Sequence, residues 1–229
     1  MIRRLLLAAA VFTVADPAVA QGPYPNMAPA DSYLMPNAAH EVELARSAAP
    51  ESVSGKATVL VLGKGGYETA VKGSNGFVCI VARSWGAGFN DSDFWNPKVR
   101  APICHNPASA RSVLPTYLSR TRWAMEGASK DEVRERIIAG VASAQFSRPE
   151  IGSMCYMMSP KGYLSDATGG PWKPHVMYFV PRTANSEWGA NLPGSPMIGN
   201  TDDAEQITVF LTPVSDWSDG SSGSSHEHG

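Results

Sequence analysis

The segment 154–181 holds the residues that are best suited to chemistry. Cys155 lies in one apolar run, His175 begins a second, and Asp166 lies in the polar loop between them. If the two runs form neighbouring strands, the imidazole can lower the pKa of the thiol and create a nucleophile, with Asp166 orienting the ring. One hypothesis is therefore a thiol-dependent enzyme of the hydrolase type. The competing explanation is a buried free cysteine and a histidine that is hydrogen-bonded at a strand start.

The same segment offers soft metal ligands. Four methionines accompany Cys155 and His175, namely Met154, Met157, Met158 and Met177. Thioethers, thiolates and imidazoles suit Cu(I). Strand alternation places Met154 and Met158 on the opposite face from Cys155 and Met157, so that about three ligands at most share a face. A periplasmic Cu(I)-binding protein is a further alternative, behind methionines that fill a core. The leading interpretation includes no metal and no cofactor.

Aromatic residues on long loops indicate a third kind of site. Trp85 and Trp95 lie in one irregular segment, and Tyr163 and Trp172 lie in the loop that follows Cys155. Such loops suit recognition of a small molecule, a glycan or a peptide when a rigid sheet positions them. A non-catalytic ligand-binding or structural module is therefore the leading interpretation.

Several standard functions are excluded by missing motifs. The chain contains no CxxC, HExxH, GxSxG or Ser-x-x-Lys pattern. Nineteen basic residues face 21 acidic ones, for a net charge of −2. This balance gives no electrostatic reason to bind nucleic acid or an anionic membrane.

The N-terminus has the three parts of a secretory signal peptide. Arg3 and Arg4 precede an apolar run over residues 5–14, and Ala18-Val19-Ala20 supplies the small residues of a cleavage site. The run is shorter than the ~20 residues that a membrane-spanning helix needs. We expect residues 1–20 to be removed and the mature protein to be periplasmic or extracellular, without membrane insertion.

The remaining chain divides into three parts. Residues 21–37 are rich in proline and are expected to form an extended leader. Residues 38–218 are expected to form a single globular domain, and residues 219–229 a disordered tail. Three cysteines leave one thiol unpaired in an oxidising compartment. The preferred disulfide joins Cys79 to Cys104, and pairing with Cys155 is the alternative.

The apolar pattern predicts an α+β fold. Six β-rich runs are expected as strands, at 57–62, 67–72, 76–82, 154–159, 175–180 and 207–214. The first three are expected to form an antiparallel meander because Asn75-Gly76 favours a hairpin. Helices are expected after Asn37, after Asn106, and after the capping box that begins at Ser129. The expected architecture is one sheet, antiparallel or mixed, of about six strands with two or three helices packed on it and long aromatic loops.

Three stretches carry a resemblance to other proteins. The runs GSNGFVCIVARSW, PASARSVLPTYL and HVMYFVPRT resemble those of an uncharacterised family of exported bacterial proteins with no assigned activity. The resemblance covers most of the mature chain. It implies one secreted domain and transfers no catalytic residue.

Overall fold

A computed structural model describes residues 23–223, in which five helices pack on one eight-stranded sheet. The strands are β1 (Thr58–Gly63), β2 (Gly66–Val71), β3 (Val78–Ala82), β4 (Ala101–His105), β5 (Met154–Met157), β6 (His175–Pro181), β7 (Ile198–Asp202) and β8 (Ile207–Pro213). The helices are α1 (Ala38–Arg46), α2 (Glu51–Ser54), α3 (Pro107–Ser112), α4 (Leu114–Met125) and α5 (Lys130–Ala142), with short 3-10 turns at Ala30–Tyr33, Ser84–Gly86 and Asn185–Trp188. The expected signal peptide at residues 1–20 and residues 224–229 of the expected tail lie outside the described residues.

The sheet is mixed, which corrects the expected meander. The strand order is β2-β1-β3-β4-β5-β6-β8-β7, and β3 runs parallel to β1 while all other neighbours are antiparallel. The Asn75-Gly76 turn therefore closes no hairpin. Asn75 instead donates to the carbonyl of Val53, and the chain at Gly73 passes so close to the backbone of Ala57 that a Cβ would lie 2.3 Å from its carbonyl carbon. This crossing carries the chain to the far side of β1.

Two strands were not expected from the sequence, so the sheet has eight strands instead of about six. β4 follows an irregular segment and contains Pro102, which cannot donate to a ladder, yet it lies in the middle of the sheet between β3 and β5. β7 contains Gly199 and Asn200, residue types of low β-propensity, and it forms the edge beside β8.

The predicted disulfide is confirmed. Cys79 of β3 and Cys104 of β4 are partners in the ladder, and their sulfur atoms are bonded. Closing a loop across 25 residues is worth about 3.5 kcal/mol in the chain-entropy account. The third cysteine, Cys155, is free and buried.

Helices cover both faces of the central strands. α1 and α2 pack over one face, where the core comprises Ala45, Ala48, Ala49, Ala57, Val59, Cys79, Val81 and Cys104. α3 and α4 cover the opposite face, which includes Ile80, Ile103, Val113, Leu114, Cys155, Met177 and Phe179. The expected helix starts are confirmed, because Asn37 and Asn106 accept from backbone N–H groups and Ser129 with Glu132 forms a capping box. Five helices form instead of two or three, because residues 51–54 add one helix and the segment after Asn106 is divided into α3 and α4, with Pro115 in the first turn of α4.

The leader packs on the domain in its described part. Tyr33 is fully buried, and its hydroxyl donates to the carbonyl of Trp95. Its own carbonyl accepts from Nε of Arg83. An aromatic side chain thus anchors a segment whose proline content favours extended structure.

Candidate functional site

A cleft opens on the sheet face that α4 partly covers, and we call it the sheet-face cleft. Its volume is about 420 Å³, and its lining is mostly apolar. Five neighbouring strands supply the floor, through Ala82, Ala101, Ile103, Met157, His175, Met177 and Leu211. Tyr117 of α4 closes one end. A mostly apolar cavity of this size with a few polar groups is typical of small-molecule sites.

Two long loops form the walls of the sheet-face cleft. The β3–β4 loop contributes Arg83, Ser84, Gly86, Ala87, Asp91, Asp93 and Val99, and the β5–β6 loop contributes Leu164, Ser165, Thr168 and Trp172. The second loop is internally bonded, because Thr168 bonds to Ser165 and Gly170 through its hydroxyl and Leu164 donates to Gly170. Because each loop joins two neighbouring strands, the sheet fixes both ends of each wall.

Asp166 ties the two walls together. Its carboxylate accepts from Tyr163 at 2.6 Å, from Tyr24 at 2.5 Å, from Asn96 at 3.0 Å and from Lys98 at 3.1 Å. These donors, led by the Tyr163 hydroxyl, hold the pKa of Asp166 well below its ordinary value. Asn96 lies on the β3–β4 loop, so one side chain links both walls.

His175 lies at the start of β6, on the floor of the cleft. Its Nδ1 lies 2.6 Å from the carbonyl oxygen of Lys173, and the ring of Trp172 lies against the imidazole at 5.3 Å between centroids. Burial lowers the pKa of His175, and the Lys173 carbonyl opposes this only in part. The expectation that Asp166 orients this ring is wrong, since Lys173 has that role.

Ser84 supplies a second polar group in the wall. Its Oγ is buried and has no hydrogen-bond partner among residues 23–223. Each nitrogen of the neighbouring Arg83 guanidinium already donates one hydrogen bond, to the carbonyls of Tyr33 and Val81 and to the carboxylate of Glu41. The buried cation of the sheet-face cleft is thus neutralised by Glu41. The carboxylates of Asp91 and Asp93 also belong to the wall, where they accept from the backbone N–H of Asp93 and from Asn96.

The four aromatic residues expected to bind ligand have different positions. Trp85 and Trp95 are buried in the core, with 0% and 4% of their surface exposed, and Trp85 donates to Thr121. They pack with Tyr33 and Phe94 and form no rim, because the leader covers them. Tyr163 bonds to Asp166, outside the cleft lining, whereas Trp172 lines the cleft and is 38% exposed.

Cys155 lies beneath the helices and has no exposed surface. Burial raises the pKa of its thiol well above the ordinary value. Cys155 pairs with Met177 on one side and with His105 on the other, while His175 pairs with Met157. The structure thus places Cys155 and His175 on the same face of the sheet, but His175 is two residues away from the position opposite Cys155.

Sequence reasoning missed Ser84 and Tyr117 as cleft residues. Ser84 follows a strand, and no sequence signal marks a serine that will lack a partner. Tyr117 lies on the half-buried side of α4, where an aromatic residue is ordinary. Ala101 and Ile103 were missed because β4 was assigned to a loop.

Other surface depressions are less suited to binding. One of about 500 Å³ includes Arg182 and Glu205, but Glu205 is paired with Arg120 at 2.8 Å and Arg182 with Asp203 at 2.9 Å. Another, of about 540 Å³ beside α1, is open and includes Lys161. Its Lys161 is paired with Glu43. The ion pairs of Arg182, Glu205 and Lys161 thus already engage these three side chains.

Comparison with other proteins gives no further identification. The chain matches no protein-family model, no curated protein and no solved structure. Within residues 23–223, no helix has the length and apolar character needed to cross a bilayer.

Proposed function

We propose that this protein is a non-catalytic binding module that takes a small, mostly apolar, uncharged ligand in the sheet-face cleft. The observation that supports it most concerns Ser84, a residue that lines the apolar cleft and whose buried Oγ has no hydrogen-bond partner in the described chain. Buried polar groups are almost always hydrogen-bonded. A ligand that bonds to this hydroxyl would supply the missing partner.

The ligand is also expected to meet Trp172 and His175 at the opposite part of the cleft. Trp172 presents a partly exposed ring, and a flat apolar surface of this kind contributes strongly to recognition. The imidazole of His175 is neutral near pH 7 because burial lowers its pKa. We further propose that the protein is exported, since a disulfide is typical of oxidising compartments.

The thiol-dependent enzyme has less support than the binding module. A nucleophilic cysteine needs solvent access and a lowered pKa. Cys155 has no exposed surface, and burial raises the pKa of its thiol.

The test uses N-phenyl-1-naphthylamine, an uncharged apolar fluorophore, as the probe. We expect saturable binding to one site per chain. Trp172→Ala should weaken it roughly tenfold, which corresponds to about 1.4 kcal/mol. The matched control is Trp188→Ala, because Trp188 is also partly exposed but stacks on Phe210 away from the cleft. No saturable binding, or equal losses in the two variants, would reject the proposal.

A further inference from the structure

Three side chains with soft donor atoms line the floor of the sheet-face cleft. Met157 and His175 are partners in the β5–β6 ladder, so their side chains leave the sheet on the same face. Met177 follows His175 by two residues on β6 and therefore lies on that face too. All three residues line the sheet-face cleft.

The tautomer of His175 leaves a lone pair on Nε2 that can bind a metal ion. Its Nδ1 lies 2.6 Å from the carbonyl of Lys173, and a carbonyl only accepts, so Nδ1 carries the proton. Nε2 then has a free lone pair and no hydrogen-bond partner among the described residues. A backbone carbonyl that fixes the tautomer and orientation of a histidine is the usual outer contact of a metal ligand.

The chemical types of these three donor side chains indicate which metal ion the site would prefer. Two thioethers and one neutral imidazole are soft, uncharged ligands that favour Cu(I) over hard cations such as Mg²⁺ and Ca²⁺. No group of three His, Cys, Asp or Glu side chains within residues 23–223 is arranged to hold a metal ion. A metal bound here would therefore depend on the methionine sulfurs. Cys155 contributes no thiolate because it is fully buried.

We propose that Met157, His175 and Met177 form a Cu(I) site on the floor of the sheet-face cleft, with the indole of Trp172 beside the metal. The indole ring contacts the imidazole at 5.3 Å between centroids, and a tryptophan face attracts a cation. The site deepens the proposed function, because it needs the same cleft to admit a ligand. It shares His175 and Trp172 with the apolar ligand and adds the sulfur atoms of Met157 and Met177.

The test is a competition for Cu(I) between the full-length protein and a coloured Cu(I) chelator, without oxygen and with ascorbate as the reductant. All samples carry His226→Ala and His228→Ala, which removes the histidines of the C-terminal end as ligands. We expect one Cu(I) per chain. The Met157→Leu/Met177→Leu double variant should bind at least about tenfold more weakly, since leucine keeps the volume and removes the sulfur.

The control is the Met154→Leu/Met158→Leu double variant. Met154 lies on the opposite face of β5, Met158 follows the end of that strand, and neither residue lines the sheet-face cleft. It should keep the affinity of the unsubstituted protein. A protein that takes no Cu(I) from the chelator, or equal losses in the two double variants, would overturn the site. Binding of N-phenyl-1-naphthylamine to the same samples separates the two ideas. If the fluorophore binds and Cu(I) does not, the copper site fails and the binding module stands.

Discussion

Cys155 of β5 and His105 of β4 are direct partners in the ladder that joins these strands. Both are fully buried beneath α3 and α4, where the His105 ring contacts Tyr117 at 5.5 Å and Phe179 at 6.2 Å between centroids. Nδ1 of His105 lies 2.8 Å from Oγ of Ser109, and its Nε2 is buried without a partner in the described chain. A thiol and an imidazole are thus neighbours in the apolar core between the sheet and these helices. A separate prediction follows for each of the two groups.

The first prediction concerns the thiol of Cys155. Burial excludes reagents and raises its pKa, so that the reactive thiolate is scarce in the native protein. We expect no labelling by iodoacetamide under native conditions at pH 8 and one label per chain in denaturant without reductant. Mass spectrometry of the labelled protein measures both.

The internal control is the disulfide. Cys79 and Cys104 should label only after reduction of the denatured protein, which brings the total to three labels. Rapid labelling of native Cys155 would contradict the buried position and would restore the thiol-dependent enzyme as a candidate.

The second prediction concerns the pH dependence that His105 contributes. Burial lowers the pKa of its imidazole to about 3 in the folded state, from about 6.5 when unfolded. At pH 5 the unfolded chain therefore binds a proton that the folded chain does not. We expect His105 to remove about 2 kcal/mol of stability between pH 7 and pH 5.

The measurement is urea unfolding of the native protein and His105→Gln at both pH values. The variant should lose less stability than the native protein on acidification, because glutamine does not titrate. The variant also lacks the ring packing, so only the difference between the two pH values is compared. An identical pH dependence in both proteins would show that His105 titrates normally.

Two glutamates of α1 provide the third prediction. Glu41 is 2% exposed and accepts from Arg83 at 2.9 Å, and it also accepts from the backbone N–H of Leu62. Its neighbour on the helix, Glu43, pairs with Lys161 at 2.8 Å, but both side chains are more than half exposed. Removing one partner of a buried pair leaves an uncompensated charge, whereas solvent screens an exposed pair.

We expect Glu41→Gln to destabilise the fold by roughly 3 kcal/mol. Glu43→Gln should leave the stability nearly unchanged, because solvent screens the exposed pair. Chemical denaturation at pH 7 gives both values. The two substitutions are chemically identical and lie two residues apart, so their difference isolates burial. Equal effects would mean that the Arg83 guanidinium does not depend on Glu41.

Much of the fold follows from local signals, and what the sequence missed depends on distant contacts. Asn37, Asn106 and Ser129 begin helices as expected, because capping is a local interaction. The Asn75-Gly76 turn was misassigned because its geometry is set by Val53, far away in the chain. β4 was missed because its pairing with β3 and β5 outweighs the local effect of Pro102.

The sequence indicated the kinds of residue that form the candidate site, but it did not show which individual residues belong to it. His175 and Trp172 could be selected because uncommon residues flank a long loop. The sequence could not show that Trp85 is buried while Trp172 is partly exposed, because both lie in irregular segments. Trp85 packs against Tyr33, which is distant in the chain, and is fully buried. The role of Asp166 was also beyond the sequence, because its partners come from three separate segments.

The last prediction follows from the four donors on Asp166. Asp166→Asn keeps the shape of the side chain but removes the charge that binds Lys98 and the two tyrosine hydroxyls. We expect the wall formed by residues 164–172 to open more often. Amide hydrogen exchange at Leu164 and Gly169 should become severalfold faster, and N-phenyl-1-naphthylamine should bind more weakly. Exchange in the central strands should be unchanged.

Asp203→Asn is the matched control, because Asp203 is an exposed aspartate paired with Arg182 outside the sheet-face cleft. It should leave both measurements as in the native protein. The effect of Asp166 also has a pH direction. The hydrogen bonds lower the pKa of Asp166 in the folded protein. They therefore stabilise the wall fully at pH values above the ordinary pKa of an aspartate, and this stabilisation is lost as the pH falls from there through the lowered pKa. If Asp166→Asn and Asp203→Asn exchange alike at pH 7, the wall does not depend on the Asp166 contacts.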